Sequence, residues 1–311
     1  MKRIINFLKY NSSKKIILAI ANIILHKFYL IVNKKFMIKK IHNYKMMLPC
    51  KDPGISMELI KYQEREMDQK FLIDSFLKKN MNVYDIGANL GYYSCMMSKM
   101  VGDEGSIFSF EPIKENINIL KENILLNNLN NIKIFNLAIS NKNEFKKIYK
   151  SHNSNLNTFN KIEGSKVAFE KETEQVESVT LERAHELCGL PPDLIRMDIE
   201  RHEVEVLASA NDFIKKYHFY PIITFEVHRA HYKNNSIAKP LKNLIDLGYK
   251  IKMISSSMAS GSEIIENYQY KATRILLTDS CERKIYENIS FVNLIKFIEQ
   301  TGGVRSVCLV K

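Results

Sequence analysis

A glycine-containing stretch, residues 83–94 with the sequence VYDIGANLGYYS, has the composition of a loop that binds a charged small molecule. An apolar run ends at Asp85, and Gly87 and Gly91 stand on either side of Asn89. Glycine lets the backbone make tight turns and lets a ligand approach it closely. In open α/β sheets, loops between a strand and the next helix hold ligands at the carboxyl ends of the strands. The stretch therefore predicts a ligand-binding loop.

The glycine spacing disfavours two common nucleotide-binding loops. A Walker loop needs a lysine directly after its second glycine, but Tyr92 follows Gly91 here. The dinucleotide fingerprint has glycines at relative positions 1, 3 and 6, whereas Gly87 and Gly91 occupy positions 1 and 5. The usual cradle for a pyrophosphate is therefore missing from this loop.

A second acidic residue, Glu111, ends the next predicted strand, twenty residues after Gly91. A carboxylate there can accept hydrogen bonds from both hydroxyl groups of a ribose, and Asp85 can contact a cationic group. Either residue alone could be only a helix cap. S-adenosylmethionine (SAM), which has an amino group and a ribose but no phosphate, satisfies both carboxylates and the glycine spacing. The sequence therefore predicts SAM binding.

Acidic residues and a histidine follow two later predicted strands, DLIRMDIE and PIITFEVH. Methyl transfer to an alcohol needs aligned reactants and a base within hydrogen-bonding distance of the hydroxyl proton. An imidazole with its ordinary pKa of about 6.5 could accept that proton directly, and a carboxylate could do so if its pKa were raised. Glu203 fits a first-turn helix acid, and His228 could also be structural. The candidate catalytic residues are Asp198, Glu200, Glu226 and His228.

The same acids could instead bind a divalent metal, which would lower the pKa of the acceptor hydroxyl. Against this, the chain lacks the Asp-Asn pair that catechol-type methyltransferases place after the fifth strand, and it has no His/Cys ligand spacing. We therefore predict that protein groups remove the proton and that no metal is required.

Alternating strands and helices must position these residues. Residues 58–79 are predicted to form a helix, and strand–helix units then run from NVYDIG to NIKIFNLAIS. The polar residues 141–178 predict a hairpin or loop over the sheet. The alternation resumes at DLIRMDIE, with a helix over residues 204–217, and ends with KIKMIS, ATRILLTD and GVRSVCLVK. Units of this length predict parallel strands in one doubly wound α/β domain.

Residues 1–45 carry almost all of the net charge. They contain ten Lys, one Arg and no acid, so they hold +11 of the total +12 and leave +1 for residues 46–311. A nearly neutral body lacks a general basic footprint for nucleic acid, and its fourth strand lacks the [N/D]PP[Y/F] motif of many base methyltransferases. We therefore divide the chain into a basic leader, 1–45, and a catalytic domain, 46–311, with its motif core at 81–228.

Within the leader, the apolar residues 16–32 have the periodicity of an amphipathic helix. One side carries Ile17, Ile20, Ile24, Phe28 and Ile31, and the other carries Lys15, Asn22, His26 and Asn33. We predict a helix on an anionic membrane surface. A helix packed on the body and a membrane span are the alternatives, although the run is shorter than the roughly 20 apolar residues of a span. Five scattered cysteines indicate a reducing, cytoplasmic compartment, so the predicted site is the cytoplasmic face of a membrane.

Four ordered blocks of the chain resemble the FkbM family of SAM-dependent methyltransferases. They are VYDIGANLGYYS, FSFEP, LIRMDIERHEVEVL and ITFEVH. The resemblance implies the Rossmann-like class I methyltransferase fold, a doubly wound and mostly parallel sheet, here with a basic amphipathic N-terminal helical extension. It implies that the methionine end of SAM lies against Asp85, Gly87, Asn89 and Gly91, with the ribose on Glu111. The family usually has D-x-E-G where this chain has Arg201, which must point outward or contact the acceptor if that glycine serves close backbone approach.

These features predict a SAM-dependent O-methyltransferase acting on a hydroxyl group of a sugar, a glycan or a related small molecule. The alternative is a non-catalytic module that binds SAM or another nucleoside and is anchored at the membrane surface. The acidic cleft favours the enzyme, because a binding module has no need for those carboxylates.

Overall fold

The computed structural model of the chain describes residues 11–151, 153–159, 169–229, 232, 235–278 and 281–311. The start of the predicted leader, residues 1–10, and part of the predicted excursion, residues 160–168, lie outside the described residues.

Fourteen strands and ten α-helices occur in the described residues. The strands are β1 (Phe36–Ile41), β2 (Tyr44–Pro49), β3 (Asn82–Ile86), β4 (Ser106–Phe110), β5 (Ile132–Phe135), β6 (Ala138–Ile139), β7 (Glu144–Ser151), β8 (Phe169–Val179), β9 (Leu194–Met197), β10 (Ile222–Glu226), β11 (Lys250–Ser256), β12 (Arg274–Thr278), β13 (Cys281–Glu287) and β14 (Val304–Val310). The helices are α1 (Ser13–Ile31), α2 (Ile55–Tyr62), α3 (Met67–Asp74), α4 (Tyr92–Val101), α5 (Lys114–Leu126), α6 (Leu181–Cys188), α7 (Glu203–Tyr217), α8 (Ala238–Asp246), α9 (Ala259–Glu266) and α10 (Phe291–Ile295). A π-helical turn, Lys296–Thr301, follows α10.

A large sheet forms the centre of the described part of the chain. Its nine strands lie in the order β12-β13-β11-β14-β10-β9-β3-β4-β5. Neighbours from β10 to β5 pair in parallel, and β14 and β13 are antiparallel to the strands beside them, so seven of the nine strands run in one direction. The predicted α/β fold with a mostly parallel sheet is confirmed.

Both faces of this sheet are covered, which explains why its central strands are continuous apolar runs rather than alternating ones. On one face, Phe213 of α7 and Leu241 of α8 pack in a core that includes Tyr84 and Phe225. The opposite core contains Met97 of α4 together with residues of β1 and β2. The carboxyl ends of β3, β4, β9 and β10 therefore meet at one edge of a rigid layer.

The helix predicted over residues 58–79 is wrong in its continuity. The chain forms α2, then a break, and then α3. Gln63 and Glu66 have positive φ angles of 58° and 49°, which ends one helix and starts the next. The break turns Arg65 and Glu66 inward, where both are buried beside the candidate site.

Three further strands could not be predicted from the local sequence pattern. The β1–β2 hairpin and β13 were not predicted, and the hairpin spans residue 45, the predicted end of the leader. Its residues Met37, Ile41 and Leu48 are buried in the second core. The predicted excursion does contain an antiparallel pair, β7 with β8, and β6 extends it to a small three-stranded sheet.

The predicted N-terminal helix is present as α1, from Ser13 to Ile31. Ser12 caps its start, since its side chain accepts a hydrogen bond from the backbone N–H of Lys15. Among the described residues, none of the helices combines the length and hydropathy needed to cross a bilayer.

Candidate active site

The loop after β3 is shaped by a close approach of two backbone segments. Gly87 has φ = +81°, and a Cβ atom on it would lie 2.1 Å from the carbonyl oxygen of Asp198. Only glycine fits such a position, because any larger residue would collide with backbone rather than with a movable side chain. Gly87 therefore joins the carboxyl ends of β3 and β9 tightly.

Gly91 has a packing role in this structure, and the contact with the cofactor implied by the family resemblance stays a prediction. It precedes α4 with φ = +89°, and a Cβ atom on it would lie 2.4 Å from Cδ1 of Leu120 on α5. The direction in which a side chain would extend from Gly91 is therefore filled by the neighbouring helix α5. Gly91 serves the packing of α4 against α5 and does not line the cavity next to Gly87.

A cavity opens beside this loop. Gly87, Asn89 and Glu111 form one wall. The remaining wall includes an apolar group of residues after β4 and around β6, namely Pro112, Ile113, Leu137, Ala138 and Ile139. One polar wall and one apolar slot suit a ribose joined to a flat heterocycle.

Residues 153–159, here called the cover segment, close one side of the cavity. Nδ2 of Asn89 donates a hydrogen bond of 2.9 Å to the carbonyl of Ser154. At the other end, the hydroxyl of Thr158 donates to the carbonyl of Glu200 at 2.7 Å. The cover segment is thus bonded both to the glycine loop and to the turn after β9.

Glu111 is buried in the wall of this cavity. Its carboxylate accepts hydrogen bonds from the backbone N–H groups of Asn89 (2.8 Å) and Ile113 (3.0 Å) and from the side chain of Asn116 (3.3 Å). Burial raises the pKa of Glu111 to about 7, against these bonds, which lower it. The carboxylate is held rigidly, and with three of its roughly four lone-pair sites occupied it has about one left for a hydroxyl donor.

Asp85 does not line the cavity, and its predicted contact with the cofactor stays a prediction. Its side chain is fully buried and accepts bonds from Nη1 of Arg196 (3.2 Å) and the hydroxyl of Ser94 (2.5 Å). The cationic group it contacts is therefore a residue of the chain itself. Arg196 also donates to Asp198 at 2.8 Å and stacks on Tyr93, with its guanidinium carbon 4.1 Å from the ring centre.

A second, strongly polar cleft adjoins the first. Asn155, Asp198 and Glu200 line both. Glu226 and His228 line the second cleft alone, together with Arg65, Glu66, Arg283 and Arg305. The structure therefore brings together all four predicted catalytic residues, at the ends of β9 and β10.

Three of these residues converge closely. One side-chain atom each of Asp198, Glu226 and His228 lies within 4.8 Å of the others. The set has the chemistry to hold a divalent ion, but each carboxylate already has a guanidinium partner. Arg196 donates to Asp198, and Nη1 of Arg305 lies 2.8 Å from Oε1 of Glu226. A metal ion would have to compete with both arginines.

His228 is poorly suited to accept a proton directly, contrary to the expectation from its ordinary pKa. Burial lowers the pKa of His228, but the carboxylates of Glu200 and Glu203 outweigh it and raise the pKa well above 6.5. Nδ1 of His228 donates to Oε1 of Glu203 at 2.6 Å, and Nε2 lies 3.4 Å from Oε2 of Glu200. These two carboxylates therefore favour the protonated form of the imidazole.

Glu203 has a role beyond the favourable interaction of an acid with the positive end of the helix dipole. It is the first residue of α7, as predicted, but its side chain is completely buried. Besides His228, its carboxylate accepts a bond from the hydroxyl of Tyr232 at 3.1 Å. Burial raises and His228 lowers the pKa of Glu203, with a net lowering. Glu203 is the anion that holds His228 in place.

Burial favours the neutral forms of Glu226 and Asp198. Burial raises the pKa of Glu226 to about 8, against the effect of Arg305. Burial likewise raises the pKa of Asp198, although Arg196 opposes it. A base whose pKa lies near the working pH is the efficient kind. Its raised pKa makes Glu226 a candidate proton acceptor.

Arg201 occupies a position whose backbone explains the family glycine. Its φ angle is +77°, and the preceding Glu200 has φ = +39°. Such angles cost a residue with a Cβ atom about 1–2 kcal/mol. Backbone conformation therefore accounts for the usual glycine.

Besides Arg283, four charged residues of the site were missed in the sequence. Arg305 donates to both Glu66 (2.7 Å) and Glu226, and Arg65 also binds Glu66. Arg196 lies in the interior of β9, among buried apolar neighbours. Only that last position carried a signal, because an arginine within a buried strand requires anionic partners.

A family profile described as "Methyltransferase FkbM domain" matches residues 85–251. Three solved methyltransferase structures are similar at low identity. TYW2 of M. jannaschii in complex with AdoMet is 14% identical, with 89% of this chain and 87% of that chain covered and a TM-score of 0.42. Precorrin-6y C5,15-methyltransferase of Geobacter metallireducens GS-15 is 12% identical, covering 79% and 88%, with a TM-score of 0.38. Methyltransferase FkbM of Methylobacillus flagellatus KT is 12% identical, covering 74% and 52%, with a TM-score of 0.34. No curated protein matches the chain.

Proposed function

Because this chain belongs to the FkbM family of SAM-dependent methyltransferases, we propose that it methylates a hydroxyl oxygen of a sugar, a glycan or a related small molecule. The observation that carries the proposal is the junction of its two clefts. Asp198 and Glu200 line the cavity that suits a nucleoside and also the polar cleft beside it. A methyl group at that junction would face the group of acids.

The residues of the first cavity fit SAM. Glu111 would accept a hydrogen bond from a ribose hydroxyl, and the slot formed by Pro112, Ile113 and Ile139 would take the adenine. Gly87 and Asn89 would lie near the methionine end. When bound, SAM supplies an electrophilic methyl group on a positively charged sulfur.

In the second cleft, protein groups would orient the acceptor and remove its proton. Asp198 and Glu226 lie close enough to bind one hydroxyl group together. Glu226, whose pKa is about 8, would accept the hydroxyl proton of the acceptor. Protonated His228 and Arg305 stabilise the acids in this arrangement.

The lining of the cleft supports a hydroxyl-rich acceptor over an aromatic base. Most of the side chains that line it are charged or amide groups, and few are apolar. The charged and amide groups include Asn153, Asn155, Asp198 and Glu200. Such groups exchange hydrogen bonds with several hydroxyls, whereas a nucleobase would need a stacking surface. A non-catalytic SAM-binding module is the second candidate, but it would leave the raised pKa of Glu226 without a role.

We also propose a cytoplasmic location, with residues 1–45 at the cytoplasmic face of a membrane. The five cysteines, all among the described residues, form no disulfide bond, and three of them are buried. Buried thiols of this kind suit a reducing compartment.

A transfer assay tests the proposed activity. The full chain is incubated with methyl-labelled SAM and a panel of mono- and oligosaccharides, and the product is analysed for a methyl ether. Label on a sugar oxygen is the expected result. SAM binding without label on any hydroxylated acceptor would instead support the non-catalytic module, and label on nitrogen would contradict the proposed chemistry.

A further inference from the structure

Helix α1 presents its polar side to the protein and its apolar side to solvent. Asn22 and His26 are buried, whereas Ile17, Ile24 and Ile31 are 67%, 64% and 82% exposed. A surface helix of a globular protein normally does the opposite, because burial of apolar area is favourable. Something else must therefore hold the polar side of α1 inward.

Specific hydrogen bonds fix this orientation. Nδ2 of Asn22 donates to the carbonyl of Lys61 at 3.1 Å, and Oδ1 of Asn22 accepts from Nζ of Lys39 at 2.6 Å. Nε2 of His26 lies 2.8 Å from the carbonyl of Cys50 and donates to it. The partners belong to β1, to α2 and to the residue after β2. These bonds decide which face of α1 points outward.

The outward face is the most apolar part of the described surface. Eleven of the twenty exposed large hydrophobic side chains lie between residues 17 and 38. Those at intervals of three and four residues form one continuous stripe along the helix. This apolar stripe consists of Ile17, Ile20, Ile24, Phe28 and Ile31. A stripe of this kind marks an interaction surface.

Lysines border the apolar stripe. Lys14 and Lys27 are exposed, and a rotation of about 100° per residue places them on opposite sides of it. Lys34 and Lys35 are exposed beyond its C-terminal end. Two copies of such a face would bring like charges together, whereas anionic lipids offer acyl chains to the stripe and phosphates to the lysines.

We infer that α1 lies in the plane of an anionic bilayer, with the apolar stripe in the headgroup region and Lys14 and Lys27 against lipid phosphates. The long lysine side chains can reach the phosphates while their methylene groups cover apolar surface. This contact deepens the membrane location proposed above. Its test does not depend on methyl transfer, so it can fail or succeed independently of the proposed activity.

The absence of tryptophan from the chain allows a direct test. Phe28→Trp in the full chain introduces a single reporter on the stripe, and Leu125→Trp introduces one at a similarly exposed position on α5. With vesicles of phosphatidylcholine and phosphatidylglycerol, the emission of Phe28→Trp should shift to the blue and that of Leu125→Trp should not. An unchanged Phe28→Trp spectrum, or equal shifts in both variants, would overturn the inference.

Sedimentation with the same vesicles provides the second measurement. Ile24→Glu should reduce the bound fraction at least about tenfold, because one apolar contact is lost and a like charge is added. Leu125→Glu is the matched control and should bind like the wild type. Both variants should keep the wild-type unfolding temperature. Equal binding of Ile24→Glu, or a dimer without vesicles that Ile24→Glu dissociates, would contradict the bilayer contact.

Discussion

Nδ1 of His228 lies 2.6 Å from Oε1 of Glu203, and the carboxylate is completely buried. The pair joins the end of β10 to the start of α7, so it fixes the imidazole in the lining of the second, polar cleft. Nε2 is directed at Glu200 (3.4 Å) and Glu226 (3.8 Å). A half-buried imidazole among three carboxylates thus links the elements of the site and concentrates its charge.

Glu203→Gln should lower the pKa of His228 by about 1–3 pH units, since one close negative charge disappears. NMR titration of the His228 ring measures this, with Glu205→Gln on the same helix as the control. Because the folded-state pKa is raised, the pair contributes stability that is present below the unfolded pKa of about 6.5 and is lost as pH rises through the folded value. An unaltered titration of His228 in Glu203→Gln would refute the assigned pairing.

Glu111→Gln should weaken SAM binding by about 1.5–3 kcal/mol, because a charged acceptor of a ribose hydroxyl becomes neutral. Calorimetry measures the affinity, and Glu115→Gln on the adjoining helix, with its exposed side chain, is the control. In the wild type, affinity should fall as pH drops through about 7, where Glu111 takes up a proton. Equal SAM affinity in both variants would contradict the proposal that Glu111 binds the ribose.

Arg201→Gly should stabilise the protein by about 0.5–1 kcal/mol, because glycine accepts φ = +77° without steric cost. Denaturant unfolding gives the difference. Arg183→Gly, inside α6, should instead destabilise by about 1 kcal/mol, since the helix interior disfavours glycine. A loss of stability in Arg201→Gly would mean that contacts of the arginine side chain outweigh backbone strain.

Methyl transfer should proceed fully in excess chelator. Asp198 and Glu226 have arginine partners at 2.8 Å, so protein cations already fill the role a metal would have. Rates of methyl transfer measured with chelator, and then with magnesium or manganese added back, test whether a metal is required. If the chelator abolished activity and added metal restored it, Asp198, Glu226 and His228 would be identified as metal ligands.

Much of the fold was accessible from sequence because buried parallel strands and the helices between them have strong local patterns. The strands ending at Asp85, Glu111, Asp198 and Glu226 were placed correctly, with their order in the chain. The β1–β2 hairpin was hidden by its lysines, and the break between α2 and α3 depends on left-handed residues that helical periodicity cannot reveal.

For the site, sequence predicted which acids meet but not their charge states. Asp85 is a strand-end acid like Glu111, yet it pairs with a buried arginine 111 residues later in the chain, on the neighbouring strand β9. The pKa of His228 depends on Glu203, whose burial no local pattern shows. Such pairings arise only when the sheet brings distant residues together.

The most direct test of the proposed chemistry compares Glu226→Gln with the wild type across pH, once an acceptor is found. Glu226 accepts a proton only when ionised, so wild-type turnover should rise with pH and level off above about 8. Above pH about 8, Glu226→Gln should be about 10²–10⁴-fold slower than the wild type, and the difference should shrink at lower pH, with unchanged SAM affinity, while Glu104→Gln on the surface behaves like the wild type. Wild-type turnover in Glu226→Gln, with the same pH dependence, would contradict the assignment of the proton to Glu226.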